Sequence, residues 1–441
     1  MLDLLDSPPT PVDDSLARLE AAVSPLVGIV RDASPLMPAA DEPRLHAFAC
    51  ALASSLGTTG AATAEHAGSA HVCAARARAA SIGEAIERYS ATFVPAGLAL
   101  LSAAELGDDV VQPETFALFH DRQFVPGFPF ARFTRSTRLS FVEGYSLLDA
   151  RRVLLPAQLV YLHQPQPEQP LVGYPTSNGL ACGPTLAEAV LNGLLELVER
   201  DAMMLAWSNR LSLPCLSWQE DDRIRELDRH AFAPTGLDYS VVDTSVFFGI
   251  PATIGIVHAP AGERAAFAVG AACAPSIVDA WRTCLAEAFS VHRWLRTVLQ
   301  ADPGLHVDAP SDVMSLEDHM LYFETPERAG EAGFLDTSPV QRETHAIAEL
   351  SGTPKEQIVD IVRRLDRQGV SAYAVDVTSP DVEELGLKVA RVIAPELLAL
   401  DVLGVAPYRG GERRYRASFE AGLLPGPLTF GELNPLPHPF P

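Results

Sequence analysis

The chain has few cysteines, no surplus of basic residues and no long apolar run, and each absence excludes a class of protein. Its 441 residues include six cysteines, none of them in a Cys-x-x-Cys pair. A disulfide-stapled scaffold is short and cysteine-rich, so we expect reduced thiols and a cytoplasmic location. No apolar run reaches the length of a membrane-spanning helix, and the first residues are acidic where a secretory signal would be basic.

The charge balance excludes a second group of functions. The 33 Lys and Arg residues against 56 Asp and Glu residues give a formal net charge of −23. A surface this acidic repels phosphate backbones and anionic lipids, which argues against nucleic-acid or membrane partners. Apolar residues make up 48% of the chain and charged residues 20%. The composition is therefore that of a globular protein rather than a disordered one.

Several familiar catalytic motifs are also missing. The chain has no Gly-x-Ser-x-Gly nucleophile elbow, no Walker A Gly-Lys-Ser/Thr and no His-x-x-x-His pair. We expect His319, which follows Asp318, to be a hydrogen-bonded structural histidine rather than a catalytic one. The chemistry must therefore come from a less common pattern.

The periodicity of apolar residues predicts a mixture of helices and strands. Long helices are predicted at 74–91, 185–209 and 276–300, and shorter ones at 354–368 and 382–389. Strands are predicted at 141–147, 153–156, 371–377 and 389–394. Because these elements alternate without a strict βαβ rhythm, the pattern indicates an α+β fold.

Two of the long helices carry the same pattern, Glu-x-x-Glu-Arg. The two copies are Glu84, Glu87 and Arg88 in one helix, and Glu196, Glu199 and Arg200 in the other. Because residues three and four apart share a helix face, each set projects together, and Glu188 and Asn192 precede the second set on that face. A looser copy at 284–289 contains Glu287 and suggests an internal pseudo-repeat.

The second of these helices is apolar on nearly every other side, so it should be buried. Unpaired carboxylates are costly to bury, and Mg²⁺ held between glutamates and a polyphosphate would remove that cost. The arginines would then neutralise phosphate charge. Solvated ion pairs on exposed helices are the competing interpretation, and the residues alone leave the two about equally supported.

Two further segments give weaker signals. The turn at 177–183 has glycines on both sides and precedes the second helix, so it can present N–H groups to a phosphate, although an ordinary helix-start loop explains it as well. In the last residues Pro437, Pro439 and Pro441 alternate. Proline-rich tails are usually disordered or extended, and physical reasoning alone favours that reading.

Residues 81–88 and 177–201 resemble the two most characteristic blocks of the YcaO family. Shorter similar pieces lie at 144–147, 156–157, 249–251, 270–272 and 389–395. The resemblance covers the chain from about residue 45 to its end. It implies a YcaO-like α+β fold with three parts: an N-terminal segment with one helix (1–45), a catalytic domain (46–430) and a proline-rich tail that enters the active site (431–441).

The resemblance also implies an ATP-dependent enzyme that acts on backbone amides of a peptide. By position, the Mg²⁺ ligands would be Glu84, Glu87, Glu188, Glu196 and Glu199. Nucleotide contacts would come from Ser15, Asn178, Glu188, Arg200 and Arg391.

The alternating prolines are typical of azoline-forming cyclodehydratases within this family, from thiazole/oxazole-modified microcin-type pathways. The resemblance implies that the tail forms part of the active site, as in those enzymes. Pro437, Pro439 and Pro441 are therefore candidate catalytic residues, with the Pro441 carboxylate as general base. The implied reaction converts Cys, Ser or Thr of a ribosomally made precursor peptide into thiazoline or oxazoline by phosphorylating the backbone amide oxygen.

One departure keeps alternatives open. Many family members have Gly-Lys-Gly ahead of the first Glu-x-x-Glu-Arg, but here residues 67–71 contain no lysine. A YcaO enzyme that makes backbone thioamides or amidines, or a catalytically silent nucleotide-binding scaffold, are the other readings. The expected partners are the precursor peptide, a separate leader-peptide-binding protein and a second copy of the chain in a homodimer. A flavin-dependent azoline dehydrogenase is a further candidate.

Overall fold

The computed structural model describes residues 10–54, 66–163, 168–260 and 262–441, together with Leu5 and Leu56. Its α-helices in these ranges are α1 (Val12–Glu20), α2 (Ala74–Ser90), α3 (Ala103–Leu106), α4 (Ala157–Val160), α5 (Leu186–Ser208), α6 (Asp222–Ala231), α7 (Ile277–Ala301), α8 (Leu316–Tyr322), α9 (Pro326–Glu331), α10 (Pro354–Asp366), α11 (Pro380–Glu384) and α12 (Arg413–Glu420). None of the helices described is long and apolar enough to cross a bilayer.

The strands of the described ranges form three sheets. They are β1 (Val30–Leu36), β2 (His46–Leu52), β3 (His66–His71), β4 (Leu100–Ser102), β5 (Arg138–Ser146), β6 (Arg152–Pro156), β7 (Leu180–Gly183), β8 (Cys215–Ser217), β9 (Asp238–Asp243), β10 (Ala252–His258), β11 (Phe267–Cys273), β12 (Gln341–Glu343), β13 (Tyr373–Asp376) and β14 (Lys388–Ile393). The orders are β1-β2-β3, then β11-β10-β9-β8-β12, then β4-β5-β13-β14-β7 with β6 on β5. Only the β8–β12 pair is parallel among the strand pairs described.

Helix α5 joins two of the sheets and forms the centre of the fold. It packs against β14 and β7 on one side and against β11 and β10 on the other. Its N-cap residue Thr185 accepts a hydrogen bond from the Glu188 N–H, which satisfies a free donor at the helix start. Most of its apolar residues, including Leu194 and Leu205, are fully buried. The largest apolar core therefore forms around this helix.

The two other long helices flank α5. Helix α2 packs against β2 and β3 of the first sheet and also against β7. Helix α7 packs against β11 and β10. The three helices that carry the Glu-x-x-Glu-Arg pattern or its looser copy therefore lie next to the strands β7 and β11, which α5 also contacts.

The predicted long helices are confirmed to within one residue at each end, and so is the mixed α+β class. The helix predicted at 382–389 is wrong. Helix α11 ends at Glu384, and β14 begins at Lys388. Between them Gly386 adopts a φ of 72°, a left-handed conformation that stops a helix and that glycine adopts without strain.

The proline-rich tail is part of the folded body, which corrects the reading based on physical reasoning alone. Pro437, His438, Pro439 and Phe440 are all buried. The Asn434 N–H donates to the Ser208 carbonyl at 2.8 Å, so the tail begins against the C-terminal end of α5. The prolines therefore belong to an extended segment that makes specific contacts, and not to a disordered end.

Candidate active site

A cavity of about 520 Å³ opens at the place where α2, α5 and α7 meet. Its charged lining residues are Glu84, Arg88, Glu196, Arg200, Glu287 and Glu317. Asn178 and Pro441 also line it. Residues from the three long helices, α8, the turn before β7 and the tail, far apart in sequence, thus share one site.

Five glutamates of the three helices are each held by a backbone N–H of a neighbouring strand or turn. The five donor–acceptor pairs are Gly68 to Glu84 at 2.9 Å, Cys182 to Glu87 at 3.0 Å, Gly179 to Glu196 at 2.9 Å, Cys273 to Glu199 at 3.1 Å and Ala271 to Glu287 at 2.6 Å. In each pair the bond is to Oε2. One carboxylate oxygen is thereby fixed to the backbone, and the other is left to meet a charged neighbour or a ligand.

Burial disfavours the ionised form of several of these glutamates. Burial raises the pKa of Glu196 to about 7, with Glu199 adding to the rise and Arg200 opposing it. Burial also raises the pKa of Glu287 to about 7, again against Arg200. The pKa values of Glu87 and Glu199 are raised for the same reason. A bound cation would lower all four by favouring the ionised form.

Arg200 lies at the centre of these carboxylates. Its Nε lies 3.5 Å from a Glu199 oxygen and 3.7 Å from a Glu196 oxygen, too far for a hydrogen bond to either. That Nε is buried and has no hydrogen-bond partner among the described residues. Its Nη1 donates to the backbone oxygen of Pro441 at 3.4 Å. A guanidinium left partly unsatisfied beside a cavity is suited to an anionic oxygen such as a phosphate.

A second cavity of about 320 Å³ lies on the other side of Glu84 and Glu196. Glu87, Asn192 and the small residues Gly83 and Gly183 also line it. Glu84 and Glu196 therefore line both cavities.

Arg391 and Asn178, two further predicted site residues, line a third cavity. Arg391 lines a third cavity, of about 80 Å³, together with Asn178, and its two Nη groups donate to the carbonyls of Thr176 and Leu159. Its Nε is buried without a partner in the described part of the chain. Asn178 donates to the Thr176 hydroxyl at 2.9 Å. Asn178 therefore borders both the third and the main cavity, whereas Arg391 lines only the third.

Glu188 and Ser15 make local contacts instead. Glu188 accepts a hydrogen bond from the Thr185 hydroxyl at 2.7 Å, within the N-terminal cap of α5. Ser15 donates to the Pro11 carbonyl at 3.0 Å within α1. Leu19, one turn further along α1, lines the second cavity. The structure thus brings Glu84, Glu196, Arg200, Asn178 and Pro441 into one cavity, and their predicted roles remain predictions.

The glutamates fit Mg²⁺ better as part of a nucleotide complex than as a closed cage. In the ranges that the structure describes, no three carboxylate, imidazole or thiol groups are placed to hold a metal ion among themselves. Mg²⁺ commonly takes one or two carboxylates and completes its octahedral shell with waters and phosphate oxygens. The carboxylates that line both cavities and the partly unsatisfied Arg200 fit that mode of binding.

Comparison with known families decides what this site belongs to. The family profile described as YcaO cyclodehydratase, ATP- and Mg²⁺-binding, matches residues 71–398. The chain belongs to the YcaO family. The family is described as a cyclodehydratase family that binds ATP and Mg²⁺. The match begins at the last residue of β3 and covers all three glutamate-bearing helices and Arg391.

The fold is that of solved YcaO and heterocyclase structures. A heterocyclase in complex with substrate and cofactor superposes with a TM-score of 0.82 at 23% identity and covers 98% of this chain. The chain spans 58% of that heterocyclase, so just over half its length. YcaO from Methanopyrus kandleri, bound with AMPPCP and Mg²⁺, gives a TM-score of 0.56 at 18% identity, over 83% of this chain and 86% of that one.

Two further relatives complete the comparison. An E. coli microcin synthetase McbBCD complex with pro-MccB17 bound gives a TM-score of 0.57 at 15% identity, over 90% of this chain and 96% of the matched chain. An uncharacterised protein from Methanothermobacter thermautotrophicus is 27% identical over 352 residues, which is 78% of this chain and 83% of that protein.

Sequence reasoning did not place Glu287 in the YcaO site. Its helix showed only a loose copy of the pattern, without the second glutamate and the arginine at the matching spacing. The structure gives Glu287 the same arrangement as the others, with a backbone N–H on one oxygen and a place in the cavity wall. The only signal in the sequence was a single glutamate in an apolar helix. Its role becomes visible only in the folded structure, where it lies next to Arg200.

Proposed function

We propose that this YcaO protein uses ATP and Mg²⁺ to convert Cys, Ser or Thr residues of a ribosomally made precursor peptide into thiazoline or oxazoline rings. The observation that carries the proposal is the meeting of Glu84, Glu196, Glu287 and Arg200 with the tail residue Pro441 in one cavity. Family membership supports the use of ATP, and the tail beside the carboxylates supports ring formation over the other YcaO chemistries.

The proposed reaction balances as a phosphoryl transfer followed by an elimination. The thiol or hydroxyl of the modified residue attacks the carbonyl carbon of the preceding residue and loses its proton. The resulting oxyanion takes the γ-phosphoryl group of ATP and releases ADP. The amide nitrogen then loses its proton as the C–O bond breaks, phosphate leaves with the former carbonyl oxygen, and the ring C=N bond forms.

The residues of the cavity wall have separate proposed roles. Glu84, Glu87, Glu196 and Glu199 would hold Mg²⁺, whose charge would stabilise the transferring phosphoryl group. We add Glu287 to this set of proposed ligands. Glu188, in the first turn of α5, is a further proposed member. Arg200 would donate to phosphate oxygens, and Asn178, Arg391 and Ser15 would bind the rest of the nucleotide.

The tail supplies the proposed proton-handling group. Pro441 lines the cavity and its backbone oxygen accepts a hydrogen bond from Arg200, and we propose that it accepts the protons released by the attacking group and the amide. Pro437 and Pro439, both buried, would stiffen the segment that leads to it. We therefore propose residues 431–441 as a functional part of the active site.

The proposed partners follow from the neighbours' composition and length. The microcin synthetase is a complex with its pro-peptide bound, and the heterocyclase is much longer than this chain. We propose that a separate protein binds the leader of the precursor peptide and delivers it to the cavity. A homodimer of this chain and a flavin-dependent dehydrogenase that oxidises the rings remain proposals of the same kind.

The test is reconstitution with a precursor peptide, the leader-binding partner, ATP and Mg²⁺, followed by mass spectrometry of the peptide. The expected result is the loss of one water mass per Cys, Ser or Thr modified, with ADP released. A gain equal to the replacement of oxygen by sulfur would instead show thioamide formation. An unchanged peptide with no ADP would show the silent scaffold that the missing lysine at 67–71 suggests.

A further inference from the structure

The tail is fixed to the protein core at several points before it reaches the cavity. The Trp207 indole N–H donates to the Leu436 carbonyl at 3.2 Å, and Arg409 Nη2 donates to the Asn434 carbonyl at 2.9 Å. His438 Nε2 lies 2.9 Å from the Asp401 carbonyl. These contacts hold the early part of the tail, and His438 is the last of these anchored residues before Pro441, whose own backbone oxygen meets Arg200.

At that point two buried histidine rings stack on each other. The ring centroids of His319, in α8, and His438 lie 3.9 Å apart, and the ring planes differ by 14°. Both residues are 1% exposed. His319 Nδ1 also lies 3.0 Å from the backbone oxygen of His438, so the ring contacts both the tail's side chain and its backbone.

The surroundings favour the neutral form of both rings. His319 lies between two carbonyl oxygens, the second being that of Val402 at 3.2 Å from Nε2, but burial outweighs them and lowers its pKa to about 4. Burial lowers the pKa of His438 well below its usual range, and His319 and Arg200 add to that. Asp318 opposes the shift at His319, but the effect of burial is larger.

We propose that His319 is a positioning residue, which through its stack on His438 holds the tail at the depth where Pro441 meets Arg200. His438 Nδ1 is buried with no partner among the described residues, so the imidazole is retained there despite an unsatisfied atom. An apolar ring would avoid that cost, but it would lose the bond to Asp401. The consequence for catalysis rests on the proposed function; the docking of the tail does not.

Two substitutions test the stack, with one matched control. His319→Ala and His438→Ala remove one ring each, and His306→Ala removes a histidine with a 57% exposed side chain. Hydrogen exchange of residues 433–441 measures docking of the tail in the full chain. We expect both stack variants, but not the control, to raise exchange there by about tenfold or more, with little change in α5, because local opening becomes easier.

The kinetic arm separates positioning from mere stability. With the reconstituted precursor we expect the stack variants to lower kcat by about 10- to 100-fold while KM for ATP changes little, since a small displacement of a catalytic group costs that much. His319→Phe, which keeps a ring to stack, should recover most of the tail protection lost in His319→Ala. Recovery no better than in alanine would show that the stack is not what holds the tail.

The pH profile gives a readout that a structural role alone would not change. Because both folded-state pKa values are depressed, the docked tail should be fully stable above the ordinary value of about 6.5 and should weaken as pH falls towards about 4. The variants should lose that dependence. Equal hydrogen exchange at residues 433–441 in wild type and His319→Ala would overturn the proposal. This outcome can be read whether or not the protein forms rings. A released tail with wild-type kcat would overturn the positioning role.

Discussion

Glu287 shows how one residue of the site depends on contacts that its own helix does not reveal. Its carboxylate accepts the Ala271 N–H, lines the cavity and has Arg200 as its main favourable charge. Several carboxylates of the site therefore share the positive charge of Arg200. Burial raises the pKa values of Glu196, Glu199 and Glu287 around Arg200, and a bound cation would favour their ionised forms.

The first prediction concerns nucleotide binding. Glu287→Gln and Glu196→Gln should each weaken Mg²⁺-dependent binding of AMPPCP by roughly 10- to 100-fold, the cost typical of losing a carboxylate at or next to a metal site. Isothermal titration with and without Mg²⁺ measures this. Glu331→Gln, at an exposed position in α9, is the control. Unchanged binding in Glu287→Gln would remove that residue from the site.

The second prediction concerns pH. Glu196 and Glu287 have folded-state pKa values of about 7, above the ordinary 4.5, so the stability they contribute is present below about pH 4.5 and is lost as pH rises through 7. Mg²⁺ with nucleotide should relieve that loss. The increase in Tm on adding Mg²⁺ and AMPPCP should therefore be larger at about pH 8 than at about pH 6. An equal increase at both pH values would contradict the charge account.

At the scale of elements, the site depends on how closely the turn before β7 approaches α5. A Cβ on Gly193 would lie 2.7 Å from the Gly179 carbonyl oxygen and 2.8 Å from a Val392 methyl group. Glycine is therefore needed in the middle of this buried helix, although it lowers helix propensity. The close approach places the Gly179 N–H on Glu196 and brings Asn178 to the cavity.

A glycine pair tests this contact. Gly193→Ala should lower the free energy of unfolding by about 1–3 kcal/mol through overpacking, and should weaken nucleotide binding as well. Gly330→Ala, in α9 with open space around its Cα, should be neutral or stabilising by up to about 1 kcal/mol. Denaturant unfolding of both variants measures the difference. Equal stabilities would show that the turn can move away from α5 without cost.

For the whole molecule, the sequence predicted the long helices and the α+β class because apolar periodicity decides them locally. The paired Glu-x-x-Glu-Arg copies supply four of the charged residues that line the main cavity: Glu84, Arg88, Glu196 and Arg200. The residues alone did not predict the burial of the tail, which only the family resemblance implied, or the place of Glu287, because each depends on contacts between segments far apart in the chain. The stack of His319 on His438 joins residues 119 positions apart and has no local signal.

The central claim is that the backbone amide oxygen of the peptide receives the γ-phosphoryl group of ATP at this carboxylate wall. The most direct measurement uses a precursor peptide whose carbonyl before the modified residue carries oxygen-18, with ATP, Mg²⁺ and the partner protein. The account predicts that the heavy oxygen appears in the inorganic phosphate, one atom per ring formed. Rings formed with unlabelled phosphate, the heavy oxygen leaving as water, would contradict it.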